Sequence, residues 1–380
     1  MATTEPLRLP RAGGTLEPYA PGEPRAFPTP GTPPRSRVAF AAAHVVADPL
    51  GEPGALDWEA TLAFRRHLWA HGLGVAEAMD TAQRGMGLGW DVARELIRRS
   101  ADDWSPPARL AAGAGTDHIT ATRLAEVRAA YEEQCEFVEG AGAQAIVMAS
   151  RALAAIARGP DDYREVYGVI LGGLERPAIL HWLGDMFDPA LRGYWGSDDL
   201  DEASEAFLEI VAANAEKVDG VKVSLLDDAR EVALRRRLPE GVRLYTGDDF
   251  NYPALIAGDA VGYSDALLGV FDAIAPAAAA ALHALDVGDR EAYDELLAPT
   301  VPLARKLFEP PTFNYKTGIV FLAFLNGHQD HFRMVAGMES ARSIVHLADL
   351  FVLADRAGLL RDPALAVARM RHVLALAGIA

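Results

Sequence analysis

The sequence contains a single cysteine, Cys135, among its 380 residues, and this excludes an intramolecular disulfide. It has no apolar run of the roughly 18 to 20 residues that a transmembrane helix requires. Its first residues do not show the basic segment followed by an apolar segment that is typical of a signal peptide. These absences predict a soluble protein of a reducing, cytoplasmic compartment, without a membrane partner.

Positive charge is scarce as well as scattered. The chain has 36 Lys and Arg residues against 53 Asp and Glu residues, for a formal charge of −17. Such a surface repels a phosphate backbone, and no basic stripe interrupts it. We therefore expect no nucleic-acid partner.

Composition also divides the chain into regions. Residues 1–37 hold nine of the 24 prolines and no apolar periodicity, which predicts an extended N-terminal arm, ordered or disordered. From residue 38, short apolar runs alternate with stretches of helical spacing. The runs predict eight strands: Val38–Val46, Leu73–Met79, Arg109–Gly113, Ala145–Ala149, Ala178–Leu183, Gly220–Ser224, Arg243–Thr246 and Ala260–Ser264.

Alternating strands and helices predict a parallel sheet, which is either open or closed. Residues 43–48, after the first strand, lack the Gly-rich phosphate turn of a doubly wound sheet. We therefore expect a (β/α)8 TIM barrel over residues 38–268, within the roughly 250 residues typical of that fold. Residues 269–380 predict a helical C-terminal region, with helices at Gly269–Leu285, Asp289–Leu297, Tyr315–Asn326, Glu339–Ala357 and Pro363–Gly378.

The active groups of such barrels follow the C-terminal ends of the strands. Lys222 stands out there, because it lies within a predicted strand between Val221 and Val223, whose side chains point to the other face. A lysine facing the barrel interior would be a desolvated amine with a lowered pKa, suited to attack a carbonyl. The alternative is a strand-end lysine paired with a carboxylate.

The sequence from Val218 to Phe271 resembles the second half of the dihydrodipicolinate synthase and N-acetylneuraminate lyase superfamily. The matching segments are Gly220–Lys222, Gly247–Asp249 and Gly258–Ser264, and weaker likeness extends over residues 38–330. The resemblance implies a class I aldolase or lyase, acting on a carbon–carbon or carbon–oxygen bond, in which Lys222 forms a Schiff base without any cofactor. It also implies a homo-oligomer, either a dimer or a tetramer, and equates Lys316 with a lysine of the family that is not catalytic.

The chain departs from the superfamily at the positions that handle protons and carboxylates. His181 stands where the family has a proton-relaying tyrosine, and histidine suits acid–base work at neutral pH. Of the hydroxyl-rich motif after the second strand only Thr81 remains, and the neighbouring Asp80 would repel a carboxylate. We therefore expect a sugar-derived keto substrate rather than simple pyruvate. The residues expected to bind it are Asp80, Thr81, Asp185, Gly247, Asp248, Ser264 and His44.

Two other functions remain open from the sequence. The first is a metal-dependent barrel isomerase or lyase, because several strand ends carry possible ligands: Glu77, Asp80, Asp117, His118, His181 and Asp185. The second is a barrel that binds sugar without catalysis. Two histidine pairs, His67 with His71 and His328 with His331, are interpreted as helix-end or loop residues rather than metal ligands.

Overall fold

The computed structural model of this chain describes residues 7–379 and contains ten strands. Eight of them close a parallel barrel, in the order β10-β3-β4-β5-β6-β7-β8-β9, so that the last strand pairs with the first. The predicted (β/α)8 fold is therefore confirmed. The strands are β1 (Leu7–Pro10), β2 (Leu16–Tyr19), β3 (Ala39–Ala42), β4 (Gly74–Glu77), β5 (Leu110–Ala114), β6 (Gln144–Val147), β7 (Ala178–Leu183), β8 (Val218–Ser224), β9 (Arg243–Thr246) and β10 (Asp265–Leu268).

Helices follow each barrel strand and form the C-terminal region. Many begin at an aspartate whose carboxylate accepts a hydrogen bond from the first turn, as the N-cap Asp289 does from Ala292 at 2.9 Å. The helices are α1 (Trp58–Ala70), α2 (Trp90–Asp103), α3 (Leu124–Gly140), α4 (Arg151–Ile156), α5 (Pro160–Gly173), α6 (Leu200–Ala213), α7 (Asp228–Arg235), α8 (Tyr252–Ala257), α9 (Val270–Ala273), α10 (Ala275–Asp286), α11 (Arg290–Leu297), α12 (Val301–Leu307), α13 (Tyr315–Leu325), α14 (Ile344–Arg356) and α15 (Pro363–Leu376).

The eighth strand does not lie where the sequence predicted it. Residues 260–264 form a turn, because Asp259 Oδ1 accepts hydrogen bonds from the backbone N–H groups of Val261 and Gly262 at 2.8 and 3.0 Å. The strand begins immediately afterwards, at Asp265. The predicted helix 269–285 is also two helices, and the predicted start at Glu339 is wrong, since α14 begins at Ile344 behind the N-cap Ser343.

Alternate residues of the strands point into the barrel. Phe40, Ala76, Ile146, Ile179 and Tyr245 belong to one buried cluster, whereas their strand neighbours pack outward against the helices. By this alternation His181 and Gly247 face the interior as well. They lie two positions after Ile179 and Tyr245, nearer the C-terminal ends of the strands. The barrel therefore positions its inward side chains in layers up to its mouth.

The N-terminal arm, from residue 7 onward, wraps over the C-terminal helices. Strands β1 and β2 form an antiparallel hairpin, and Leu9 of this hairpin is fully buried. The Tyr19 hydroxyl donates to Asp355 on α14 at 2.6 Å, and the Arg25 N–H donates to the Gly358 carbonyl at 3.2 Å. The arm is thus held to the end of α14 and the turn after it.

Between residues 7 and 379, none of the helices is both long enough and apolar enough to span a bilayer.

Candidate active site

Lys222 lies in β8 with its side chain directed into the barrel. Val221 and Val223 pack in the outer core, and Lys222 is in register with His181 of β7 and Tyr245 of β9. Its side chain is buried, with 4% exposed. Among the residues that the structure describes, the amine has no hydrogen-bond partner. The inward position expected for Lys222 is therefore present.

The charge of this amine is disfavoured by its surroundings. Burial lowers the pKa of Lys222, while the carboxylates of Asp80 and Asp249 act in the opposite direction. The net shift is downward, and this increases the fraction of uncharged amine at neutral pH. An uncharged lysine amine is a nucleophile toward carbonyl carbon.

Gly247 provides the space that Lys222 occupies. A Cβ atom at this position would lie 3.1 Å from Lys222 Cε and only 2.1 Å from Ser224 Oγ. Any larger residue would therefore displace the side chains of β8. The Gly247 N–H also donates to the Val223 carbonyl at 2.8 Å, which fixes this segment against β8.

His181 lies beside Lys222 in the same layer of the barrel. It is buried, and its Nε2 atom is 3.2 Å from Ser224 Oγ. Burial lowers the pKa of His181 well below its ordinary value, and the positive charge of Lys222 lowers it further. His181 is therefore a neutral imidazole at neutral pH, within hydrogen-bond distance of the Ser224 hydroxyl.

Asp80 and Thr81 are joined by a tyrosine that sequence reasoning missed. The Tyr315 hydroxyl, at the start of α13, donates to Asp80 Oδ2 at 2.7 Å and lies 2.6 Å from Thr81 Oγ1. The Tyr315 ring stacks on Phe308 with centroids 4.4 Å apart. Burial and the Asp80 charge raise the pKa of Tyr315 well above its ordinary value, so the phenol remains protonated. A protonated phenol held between a carboxylate and a hydroxyl is a proton-relay arrangement.

A second buried lysine, Lys316, follows this tyrosine. Its Nζ atom donates to the Phe313 carbonyl at 3.1 Å, and burial lowers its pKa against the opposing effect of Asp80. Burial alone would raise the pKa of Asp80, but Lys316 and Lys222 bring it below the ordinary value. Asp80 is thus an ionised carboxylate between two buried amines.

The two aspartates after β9 have different environments. Asp248 accepts hydrogen bonds from the backbone of Phe250 and Asn251 at 2.8 and 3.0 Å, so it shapes the loop. Asp249 accepts from the Val270 N–H at 2.8 Å and is electrostatically linked to Lys222. Burial raises the pKa of Asp249 to about 8, despite that hydrogen bond and the lysine charge. Of these two aspartates Asp249, which sequence reasoning did not choose, is therefore the one that interacts with the amine.

A pocket of about 210 Å³ opens at the C-terminal ends of β4 to β7, and Asp80 and His181 form part of its wall. Lys222 is not part of the wall, so the amine is reached past these two residues. Two arginines also line the pocket, each paired with an aspartate: Arg84 with Asp117 at 2.7 Å and Arg151 with Asp188 at 2.5 Å. The mouth therefore contains two arginines beside the three aspartates Asp80, Asp117 and Asp188.

Three of the expected substrate-binding residues lie elsewhere. Ser264 precedes β10 and so lies at the opposite end of the barrel, where its hydroxyl donates to Glu231 at 2.7 Å. Asp185 is exposed and lines a separate depression beside the outer residue Trp182. His44 is buried behind the mouth, with Nδ1 2.8 Å from Asp272.

Glu77 and Asp117, two of the side chains proposed as metal ligands, are engaged in other interactions. Glu77 forms a buried ion pair with Arg65 at 2.7 Å and accepts from Ser100 at 2.6 Å, on the outer side of β4. Asp117 is paired with Arg84. Within residues 7–379, no three His, Cys, Asp or Glu side chains are grouped so that they could hold a metal ion.

Comparison with known proteins agrees with the fold. The model of the family described as "Protein of unknown function (DUF993)" matches residues 7–379. No curated protein sequence matches the chain significantly. Similar solved structures belong to the dihydrodipicolinate synthase family, which confirms the resemblance at the level of the fold.

Three of these structures illustrate the extent of the likeness. A prophage protein of the dihydrodipicolinic acid synthase family from E. coli K12, solved with pyruvate, is 13% identical with a TM-score of 0.68, covering 85% of this chain and 99% of its own. Dihydrodipicolinate synthase from Aquifex aeolicus is 14% identical with a TM-score of 0.64, covering 86% and 100%. That from Bacillus anthracis is 14% identical with a TM-score of 0.62, covering 83% and 97%.

Proposed function

We infer that this chain, which belongs to the DUF993 family, is a lyase or aldolase that forms a Schiff base through Lys222. The observation that carries the proposal is a buried amine with a lowered pKa, without a hydrogen-bond partner among the described residues, directed into the barrel near the C-terminal end of β8. The fold it shares with dihydrodipicolinate synthases supports this reaction class. The metal-dependent alternative has no comparable donor set in residues 7–379.

In the proposed reaction the Lys222 nitrogen adds to a ketone carbon and forms a carbinolamine. Protonation of the carbinolamine hydroxyl releases water and leaves a protonated imine. That cation accepts the electron pair of an adjacent carbon–carbon bond during cleavage, or of a C–H bond during elimination of a hydroxyl group. No other electron acceptor is required by this sequence.

Two groups would move protons in these steps. The Tyr315 hydroxyl, hydrogen-bonded to Asp80 at 2.7 Å, would pass protons between Thr81 and the Asp80 carboxylate, which forms part of the pocket wall. His181, neutral and adjacent to Lys222 in the barrel layer, would take the proton that the amine loses on addition. Positioned acid–base groups of this kind contribute about 10²- to 10⁴-fold in rate.

The proposed substrate is a small polyhydroxylated keto compound of the kind derived from sugars. The pocket wall contains both acceptors and donors, in Asp80, Asp117, Arg84 and Arg151, which suits hydroxyl groups better than a single charged group. The volume of about 210 Å³ is below the roughly 300 to 1,000 Å³ of drug-sized pockets, so the substrate is small. Following the resemblance, we also propose a homo-oligomer, which light scattering would test.

Reduction with sodium borohydride tests the Schiff base. Wild-type protein is incubated with ketoacids, keto sugars or dihydroxyacetone, reduced, and examined by intact mass and peptide mapping. We expect a mass increase on Lys222 with at least one keto sugar, none in Lys222→Met, and an adduct retained in Lys316→Met. Lys316 is a matched control, because it is also a fully buried lysine near Asp80.

The outcome identifies the mechanism directly. An adduct on Lys316, or one that persists in Lys222→Met, would contradict the assignment of the amine. Absence of any adduct, together with activity that depends on an added divalent cation, would favour the metal-dependent isomerase or lyase.

A further inference from the structure

A second pocket lies outside the barrel, between α1, α13 and the N-terminal arm. Its volume is about 360 Å³, which is larger than that of the pocket at the barrel mouth. Most of its wall is apolar, formed by Phe27 of the arm, Phe64 of α1, Leu322 of α13 and Leu359 after α14. None of the proposed reaction residues lines it.

The polar residues of this pocket include two histidines that are far apart in the sequence. The imidazole rings of His67 and His328 have centroids 4.4 Å apart, and Phe64 lies 5.1 Å from His328. Burial lowers the pKa of His67 to about 4 and that of His328 to about 2. Both rings are therefore uncharged at neutral pH and extend the aromatic wall.

Positive charge on this wall comes from two exposed arginines. The same wall includes the buried carboxylate of Asp272, which accepts from the His44 backbone N–H at 2.7 Å and lies 2.8 Å from His44 Nδ1. Arg361 has no ion pair or side-chain hydrogen bond within residues 7–379, and its backbone N–H donates to Asn326 Oδ1 at 2.9 Å. That bond leaves Asn326 Nδ2 as a donor without a partner in the same part of the chain. Arg25 donates to the Glu295 carbonyl at 3.2 Å and forms no ion pair with the described residues.

We propose that this pocket binds a small apolar anion, such as an aromatic or branched-chain carboxylate. The ligand body would pack between Phe27, Phe64 and Leu322, and its anionic group would meet the unpaired guanidinium of Arg361. Pockets with apolar walls and a few converging polar groups are the usual form of small-molecule sites. This proposal does not depend on the Schiff-base chemistry.

Paired fluorescent probes test both the pocket and its charge preference. The anionic probe is 1-anilinonaphthalene-8-sulfonate, and the uncharged probe of the same shape is N-phenyl-1-naphthylamine. We expect saturable binding of the sulfonate at one site per folded chain. Arg361→Gln should weaken the sulfonate at least fivefold and leave the uncharged probe unchanged, and Leu322→Trp should abolish both by filling the cavity.

Arg123→Gln is the matched control, since it removes the same charge from a residue whose side chain is 75% exposed at the N-cap of α3. Near-UV circular dichroism verifies that each variant is folded, and Arg361→Gln keeps the test valid if Leu322→Trp does not fold. Equal weakening of both probes by Arg361→Gln would overturn the preference for an anion. Absence of saturable binding, or binding that neither pocket variant changes, would overturn the site.

Discussion

Replacing Gly247 by alanine tests whether this position provides the space for Lys222. The added Cβ atom would lie 2.1 Å from Ser224 Oγ, 2.7 Å from the Val223 carbonyl oxygen and 3.1 Å from Lys222 Cε. Two of these distances are too short for any real contact, so the strands must separate or the β8 side chains must move. The Lys222 amine would then leave its position beside His181.

The magnitude follows from the cost of overpacking a core, which is about 1 to 3 kcal/mol for an added methylene-sized group. Backbone carbonyl atoms are among those contacted, and they cannot turn away as a side chain can. We therefore expect the free energy of unfolding of Gly247→Ala to fall by about 2 kcal/mol. We also expect the rate of borohydride-trapped imine formation to fall at least tenfold.

Gly168→Ala is the matched control. Gly168 lies within α5, and a Cβ atom there would have no neighbour within 4 Å. The same substitution should therefore stabilise the protein by about 0.5 to 1 kcal/mol, since alanine favours a helix over glycine. Guanidinium denaturation and borohydride trapping of both variants give the comparison. If Gly247→Ala is as stable and as reactive as Gly168→Ala, the close approach of these strands does not position the amine.

Further predictions concern the hydroxyl relay and the acid stability. Tyr315→Phe removes hydrogen bonds to Asp80 and Thr81, so we expect imine formation to slow by about 10²-fold or more and stability to fall by about 1 to 3 kcal/mol; unchanged trapping kinetics would exclude the relay. The pKa values of His67 and His328 are lowered by burial to about 4 and about 2, so the unfolded chain binds more protons than the folded chain below pH 6.5. The free energy of unfolding should therefore keep its full value above pH 6.5 and decline as the pH falls toward 4. His328→Gln should reduce the slope of this free energy against pH, measured by denaturant titrations between pH 7 and 5. An unchanged slope would show that His328 is accessible to protons in the folded state.

The period of two along a strand predicted that Lys222 points away from Val221 and Val223, and the family resemblance then favoured the barrel interior for its side chain. The same rule, applied from Tyr245 through Gly247, indicates Asp249 rather than Asp248 as the inward aspartate. Asp248 was chosen from the resemblance instead, and it shapes the loop through bonds to Phe250 and Asn251. Local periodicity was therefore the better guide at this strand end.

Other residues of the site gave no local signal. Tyr315 reaches Asp80 across 235 positions of sequence, because α13 packs over the barrel. Arg151 enters the mouth from the first turn of α4. Ser264 was misplaced because the turn at Asp259 interrupts a segment whose composition resembles a strand. Such contacts depend on how helices pack, and no pattern of neighbouring residues contains that information.

The charges of the barrel layer explain why Lys222 rather than Lys316 is the expected nucleophile. Two buried amines lie near two carboxyl groups, Asp80 and Asp249, but burial raises the pKa of Asp249 to about 8. At neutral pH Asp80 is then the main ionised partner for both amines. Because one negative charge compensates one positive charge, we expect one lysine to be an ammonium and the other a free amine. Lys316 has a backbone acceptor at 3.1 Å, which favours its ammonium form, whereas the nearby charges of Asp188 and Arg151 act on it in opposite directions. Lys222 has no such acceptor within the described chain, so the free amine is expected at Lys222.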